Sequence, residues 1–319
     1  MLKILVTGCA GFVGSHLCER LLEQGHTVIG IDNFDPFYDR ALKEANLAHF
    51  KAQPNFTFYE FDLAQKENYQ SFNETVDAVI HLAAKAGVLP SLKDPEGYID
   101  NNIKATQYLL EYMRQIGCTK LIFTSSSSVY GNNKSIPFNE ADPVDRPISP
   151  YAFTKKSCEL LNHSYHHLYD MDVLNLRLFT VYGPRQRPDL AIRKFVKLIS
   201  ADEPITMYGD GSTARDYTYV GDTVSGYIKA LTYLMDNMGL YEIVNLGNHQ
   251  PVELKYLINK LFELMGKTQN VKQIDMQPGD VDITYADITK ATNLFGYSPQ
   301  TKIDDGLVKF IDWYHAAGY

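Results

Sequence analysis

Tyr151 and Lys155 stand four residues apart behind Ser149-Pro150, a spacing that sets both side chains on one face of a helix. Ser149 offers the N-cap and Pro150 the first turn. A phenol titrates at about pH 10, too high for a base at neutral pH, so a nearby cation is what would stabilise its phenolate. Upstream, Thr124-Ser125-Ser126-Ser127-Ser128-Val129-Tyr130-Gly131 closes an apolar run that reads as a strand, and the carboxyl ends of parallel strands are where open α/β sheets bind ligands. Taken singly, Tyr-x-x-x-Lys also describes an exposed amphipathic helix, and the serine run a polar loop.

A third constellation gives these two a common purpose. Gly8-Cys9-Ala10-Gly11-Phe12-Val13-Gly14 follows the first strand directly and opens the first helix. Glycines there let the backbone approach a pyrophosphate, and free N–H groups at the helix start, around Phe12 and Val13, face its charge. The spacing is G-x-x-G-x-x-G, one residue longer than the usual dinucleotide fingerprint. Eighteen residues beyond Gly14, Asp32-Asn33 ends the second strand, where a carboxylate accepts hydrogen bonds from an adenosine ribose and repels a 2′-phosphate. That favours NAD over NADP as cofactor; the other reading of Asp32 is a turn aspartate after a strand. Asp62 and Leu63, at the end of the third strand, could likewise face the adenine.

Such a site needs a parallel sheet with helices around it, and the rhythm of the chain supplies one. Short apolar runs at 3–7, 27–31, 56–62, 78–84, 120–126 and 173–179 alternate with helix-period segments, as βαβ units do. Val13, Leu17 and Leu21 recur at i, i+4 and i+8, and Gly25 supplies a stop. The pattern predicts an α/β fold, with a Rossmann-type doubly wound parallel sheet over residues 1–179. From residue 180 the rhythm loosens into loops such as Tyr182-Gly183-Pro184 and Tyr208-Gly209-Asp210-Gly211, which predicts a smaller C-terminal α/β substrate-binding lobe over 180–319. An apolar run at 242–248 reads as one more strand, returning to the first sheet.

Composition narrows the class further. With 45% hydrophobic and 21% charged residues the chain is an ordinary globular protein. Thirty-eight acidic against thirty basic residues give a net charge of −8 without basic blocks, which argues against nucleic acid as a partner. Cys9, Cys18, Cys118 and Cys158 lie far apart with no C-x-x-C pair, so reduced cytosol suits them better than a disulfide framework or a zinc site. The start lacks a secretory pattern, and no apolar run nears the roughly 20 residues of a membrane span. The expectation is a soluble, cytoplasmic protein with no membrane partner and no metal. His163 and His167 share a helix face, yet no carboxylate completes an open metal site, so they read as surface or subunit-contact residues.

The sequence as a whole resembles the extended short-chain dehydrogenases/reductases and, within them, the nucleotide-sugar epimerases. The resemblance is carried by the T-G-x-x-G-x-x-G loop at 7–14, His81-Leu82-Ala83-Ala84, Ser128-Val129-Tyr130-Gly131 and Tyr151-x-x-x-Lys155. It implies that Tyr151 is the catalytic acid/base, that Lys155 lowers its pKa and holds the nicotinamide ribose of NAD, and that Ser126 hydrogen-bonds the reacting sugar hydroxyl. It also places Leu82, Ala83, Ala84, Lys85 and Asn102 along the cofactor, and implies a homodimer formed through helices near 102–114 and 149–171.

Closer likeness is to UDP-glucuronate 4-epimerases, through Asn33-Phe34-Asp35-Pro36-Phe37-Tyr38-Asp39, Ala86-Gly87-Val88 and Phe179-Thr180-Val181-Tyr182-Gly183-Pro184-Arg185-Gln186-Arg187-Pro188-Asp189. This implies conversion of UDP-glucuronate to UDP-galacturonate. Hydride leaves C4 for NAD while Tyr151 takes the O4 proton, and the 4-keto sugar rotates to take hydride back on its other face. Arg185 would face the sugar carboxylate beside Ser127, Ser128 and Thr180, Arg215 the diphosphate, and Asp280 the nucleotide ribose. Without the likeness, the loop around Arg185 reads as a solvated basic loop. Leu89 and Pro278 depart from the family, which has arginines there; the first leaves one less cation near the sugar. The alternatives are a 4-epimerase of UDP-glucose or UDP-N-acetylglucosamine, a nucleotide-sugar dehydratase or decarboxylase, and a non-catalytic NAD-binding protein. Dehydratases and decarboxylases resemble one another in carrying acidic residues where this chain has Ser127-Ser128, and a non-catalytic protein would not need Ser126, Tyr151 and Lys155 together.

Overall fold

The computed structural model of the chain describes residues 1–275 and 283–319. The apolar runs of the first half become strands β1 (Lys3–Thr7), β2 (Thr27–Asp32), β3 (Phe56–Glu60), β4 (Ala78–His81), β5 (Lys120–Ser126) and β6 (Asp172–Leu178). The second half adds β7 (Thr180–Tyr182), β8 (Ile205–Tyr208), β9 (Ala214–Tyr219), β10 (Tyr241–Leu246), β11 (Pro251–Glu253) and β12 (Val271–Ile274). Strands covered on both faces read as continuous apolar sequence, as Lys-Ile-Leu-Val-Thr of β1 and Ala-Val-Ile-His of β4 do.

Among the described residues, seven parallel strands form one sheet in the order β10-β6-β5-β4-β1-β2-β3. The chain order turns back at β1, with β2 and β3 on one side and β4, β5 and β6 on the other. A switch point of this kind opens a crevice beyond the carboxyl ends of the strands.

Helices cover both faces. The helix Phe12–Glu23 buries Leu17, Cys18 and Leu21 against the sheet and the helix Val220–Asp236; each fully buried leucine stabilises by about 1.5–3 kcal/mol. It ends where Gly25 takes a φ of 81°, a left-handed turn that glycine adopts freely. On the other face, Ala105–Gln115 and Pro150–Tyr169 bury Leu109, Leu110, Met113 and Cys158.

A second core gathers Ile192, Val196, Leu257, Leu261, Leu307 and Phe310 from the helices Ala191–Ser200, Leu254–Leu264 and Ile303–Ala316. Two small sheets, ordered β11-β9-β7 and β12-β8, accompany it. Between these pieces of chain, Val220–Asp236 and β10 pack with the large sheet.

Two strands stop two or three residues short of the apolar runs that announced them. β3 ends at Glu60 and β4 at His81, because the next residues leave the ladder for the crevice. Leu82 N–H donates to Thr7 O at 3.2 Å and Ala83 N–H to Thr7 Oγ1 at 3.1 Å. No described helix is long and apolar enough to cross a membrane.

Candidate active site

A cavity of about 800 Å³ runs along the crevice from the glycine loop to the smaller lobe. Gly8, Gly11, Phe12, Val13 and Gly14 line one end. A β-carbon on Gly14 would lie 2.1 Å from Gly8 O, and one on Gly8 would lie 2.8 Å from Ala83 N, so the loop closes only with glycine at both positions. No side chain caps the helix that begins at Phe12. Its first N–H groups are therefore available to an anion such as a pyrophosphate.

Asp32 is buried at the end of β2, where Oδ2 accepts Ala10 N–H at 3.2 Å and Oδ1 accepts Phe34 N–H at 2.9 Å. Burial raises its pKa, and the neighbouring Lys43 ammonium opposes that rise. Lys43 donates to Asp35 O at 2.8 Å from the inner face of the helix Arg40–Ala48, and shares the cavity wall with Asn33, Asp62 and Leu63.

Leu82, Ala83, Ala84 and Lys85 form the wall across from them. Asn102 stands behind it, buried in a π-helical turn (Ile99–Lys104). Its Oδ1 accepts Lys85 N–H at 2.8 Å, and its Nδ2 donates to Lys85 O at 3.0 Å and to Thr154 Oγ1 at 2.9 Å. Asn102 thus acts through the Lys85 backbone, tying that loop to the helix of Tyr151.

Tyr151 and Lys155 reach the cavity from one face of Pro150–Tyr169, whose N-cap Ser149 accepts Ala152 N–H at 3.1 Å. Burial raises the Tyr151 pKa; a hydrogen bond with Ser126 pulls it down, and the Arg187 charge does so to a lesser degree. Lys155 is also anchored to the end of β5. Its Nζ donates to Thr124 O at 2.7 Å, and burial lowers its pKa to about 8. Ser126 and Arg187 thus act on the Tyr151 phenol, and Lys155 lines the same cavity beside it.

Behind Ser126, Ser125 Oγ donates to Glu159 at 2.7 Å, and Glu159 accepts Nε and Nη2 of Arg177 at 2.8 and 2.9 Å. Both ions are fully buried, and the guanidinium lies 4.8 Å from the Tyr130 ring. These hydrogen bonds hold the Glu159 carboxylate, while Arg177 Nη1 is buried with no hydrogen-bond partner among the described residues. The pair ties the helix of Tyr151 to the carboxyl ends of β5 and β6.

Ser127, Ser128, Thr180, Arg187 and Arg215 line the other end of the cavity, with Leu89 at its rim. Ser128 Oγ is buried and lacks a hydrogen-bond partner among the described residues, a costly state that a bound ligand would relieve. Arg185 does not face this space. It takes a φ of 64°, which turns its guanidinium onto Glu19 of Phe12–Glu23 at 2.7 and 3.0 Å. Arg187, two residues on, lines the cavity, with Nε and Nη2 donating to Asp189 at 3.0 and 2.7 Å. The assignment of Arg185 to the sugar end is thus corrected to Arg187. Asp280 lies outside the described residues.

Over residues 5–310 the chain matches the family described as GDP-mannose 4,6 dehydratase. A UDP-glucuronate 4-epimerase of Thermodesulfobacterium geofontis is 44% identical over 312 residues, which cover 97% of this chain and 95% of that protein. The chain belongs to the extended short-chain dehydrogenases/reductases. A solved member of this family, the UDP-glucuronic acid 4-epimerase from Bacillus cereus in complex with UDP-glucuronic acid and NAD, is 38% identical at a TM-score of 0.91, with 99% of each chain covered. A UDP-N-acetylglucosamine 4-epimerase from Methanobrevibacter ruminantium M1, in complex with UDP-N-acetylmuramic acid, is 31% identical at a TM-score of 0.90, again over 99% of each chain.

Two residues of this dehydrogenase/reductase site escaped the sequence reading. Lys43 had a signal: with Asn46 and Leu47 it occupies the buried face of its helix, and a lysine placed inward needs a carboxylate nearby. Arg187 had none, since spacing does not separate it from Arg185. On the helix of His163 and His167, the His163 ring stands against Tyr241 at 4.8 Å, and the neighbouring His166 Nδ1 donates to Met171 O at 2.7 Å.

Proposed function

We propose that the chain binds NAD and interconverts UDP-glucuronate and UDP-galacturonate by epimerisation at C4. The observation that carries this reading is the position of Arg187, whose charge acts on Tyr151 within the cavity that the glycine loop opens. One sugar could then meet an acid/base and a carboxylate-binding cation together.

The residues fit the cofactor. The uncapped helix start suits a pyrophosphate, and Asp32 suits a ribose. When bound, NAD supplies the acceptor and later the donor of the C4 hydride, so the cycle has no net oxidation. Tyr151 takes the O4 proton as C4 is oxidised and returns it after the sugar has turned, while Ser126 shares its hydrogen bond with the same oxygen. The mechanism requires the lobes to exclude water while the sugar turns.

A glucuronate oxidised at C4 is a β-keto acid. It loses carbon dioxide when the C5–C6 bond lines up with the carbonyl π system. In this reading Arg187, Ser128 and Thr180, which line the cavity, hold the carboxylate out of that alignment.

Incubation with UDP-glucuronate, UDP-glucose and UDP-N-acetylglucosamine, followed by separation of the C4 epimers, tests the reading. UDP-galacturonate should form fastest, and faster conversion of a neutral sugar would overturn it. Asp32→Ala should cost about 1.5–3 kcal/mol of NAD affinity, the scale of a hydrogen bond to a charged group. Titration calorimetry measures that loss, and wild-type protein that binds NADP as tightly as NAD would contradict the role of Asp32.

A further inference from the structure

We propose that Arg185 and Glu19 form a latch that aims Arg187 into the cavity, so that both are positioning residues for the sugar carboxylate. The inference rests on the reading of Arg187 as the partner of that carboxylate.

It starts from a strained backbone. Arg185 is a non-glycine residue with a φ of 64°, and such a conformation persists only where its surroundings over-determine it. The surroundings are one face of Phe12–Glu23. Glu19 grips the guanidinium at 2.7 and 3.0 Å, and Ser15 Oγ lies 3.4 Å from Nη1. One residue earlier, Pro184 O is bonded to His16 Nε2 at 2.9 Å. A carbonyl only accepts, so Nε2 carries the proton. The ring is neutral, since burial and the Arg185 charge lower its pKa to about 4.

The residue after the latch is fixed from the opposite side. Gln186 is buried, its Nε2 donates to Val181 O at 3.2 Å, and its backbone oxygen accepts Arg193 Nη1 at 2.6 Å. Consecutive side chains therefore point three ways: Arg185 to the glycine-loop helix, Gln186 into the smaller lobe, and Arg187 into the cavity. The left-handed turn at 185 sets this sequence of directions. Relaxing it to an ordinary φ would rotate the following peptides and swing Arg187 away from the Phe37 ring, 5.2 Å from its guanidinium. The latch spans 166 residues and links the sugar loop to the helix whose first turn lines the dinucleotide end.

The test uses the NAD-loaded full chain, with Glu19→Gln and the charge swap Glu19→Arg/Arg185→Glu, assayed on UDP-glucuronate and UDP-glucose. Glu19→Gln should raise KM for UDP-glucuronate on the order of tenfold, as expected for a misplaced charge-assisted contact, while kcat and the KM for UDP-glucose change little. The swap should restore most of the loss. An unchanged KM, an equal rise with both sugars, or a swap no better than the single variant would each overturn the latch. If the wild type does not turn over UDP-glucuronate, the substrate reading falls by itself. A crystal structure of Glu19→Gln then decides the latch, which is overturned if Arg187 still faces the cavity against the Phe37 ring.

Discussion

Tyr151→Phe is expected to fold as the wild type does and to lose about 10²–10⁴-fold in turnover, the usual contribution of a positioned acid/base. The ring of the variant keeps its place beside Tyr98, whose centroid lies 6.1 Å away at an interplanar angle of 81°. What disappears is the hydroxyl that bonds Ser126 and can hold the O4 proton. Loss of one neutral hydrogen bond costs about 1 kcal/mol of stability, so thermal unfolding should move far less than the rate. The sign of the pH dependence follows from the same atoms. The base form of the phenol is needed for C4 oxidation, so wild-type kcat/KM rises with pH through the Tyr151 titration. Ser126 and Arg187 move that rise downward, and burial moves it upward. The residual activity of the variant should lack the rise. Near-full turnover by Tyr151→Phe would remove tyrosine from the mechanism.

The dinucleotide end is legible in the sequence because its parts lie within one contiguous βαβ unit. The offset from the glycine loop to Asp32 is set by the length of one helix, and the loop cannot close around larger residues at Gly8 and Gly14. β1 and β5 coincide with their apolar runs because little water reaches either strand. The sugar end is assembled from distant segments, and there sequence spacing fails. Whether Arg185 or Arg187 enters the cavity depends on one backbone dihedral and on Glu19, far away in the chain. Asn102 illustrates a milder failure: the motif brings it near the cofactor wall, but only the turn that buries it shows that it holds Lys85 in place.

Arg187→Ala should separate the acidic sugar from its neutral rivals. A charge-assisted pair in a closed site costs about 2–5 kcal/mol when one partner is truncated, and kcat/KM for UDP-glucuronate should fall by that amount. Asp189, the partner left behind, is about one-third exposed and can turn to water, so little of the loss should be structural. UDP-glucose has no carboxylate and should be affected much less. The freed carboxylate should also rotate until the C5–C6 bond lines up with the C4 carbonyl. That bond then breaks, its electron pair forms the C4–C5 enolate, carbon dioxide leaves, and C5 takes a proton from solvent. Part of the product should therefore be a UDP-4-keto-pentose, seen by mass spectrometry as a loss of carbon dioxide that the wild type does not show. The outcomes divide cleanly between roles. A selective loss with decarboxylation makes Arg187 the residue that keeps a β-keto acid intact, whereas an equal loss on both sugars without it would make the same guanidinium a diphosphate or structural contact and return the substrate to a neutral UDP-sugar.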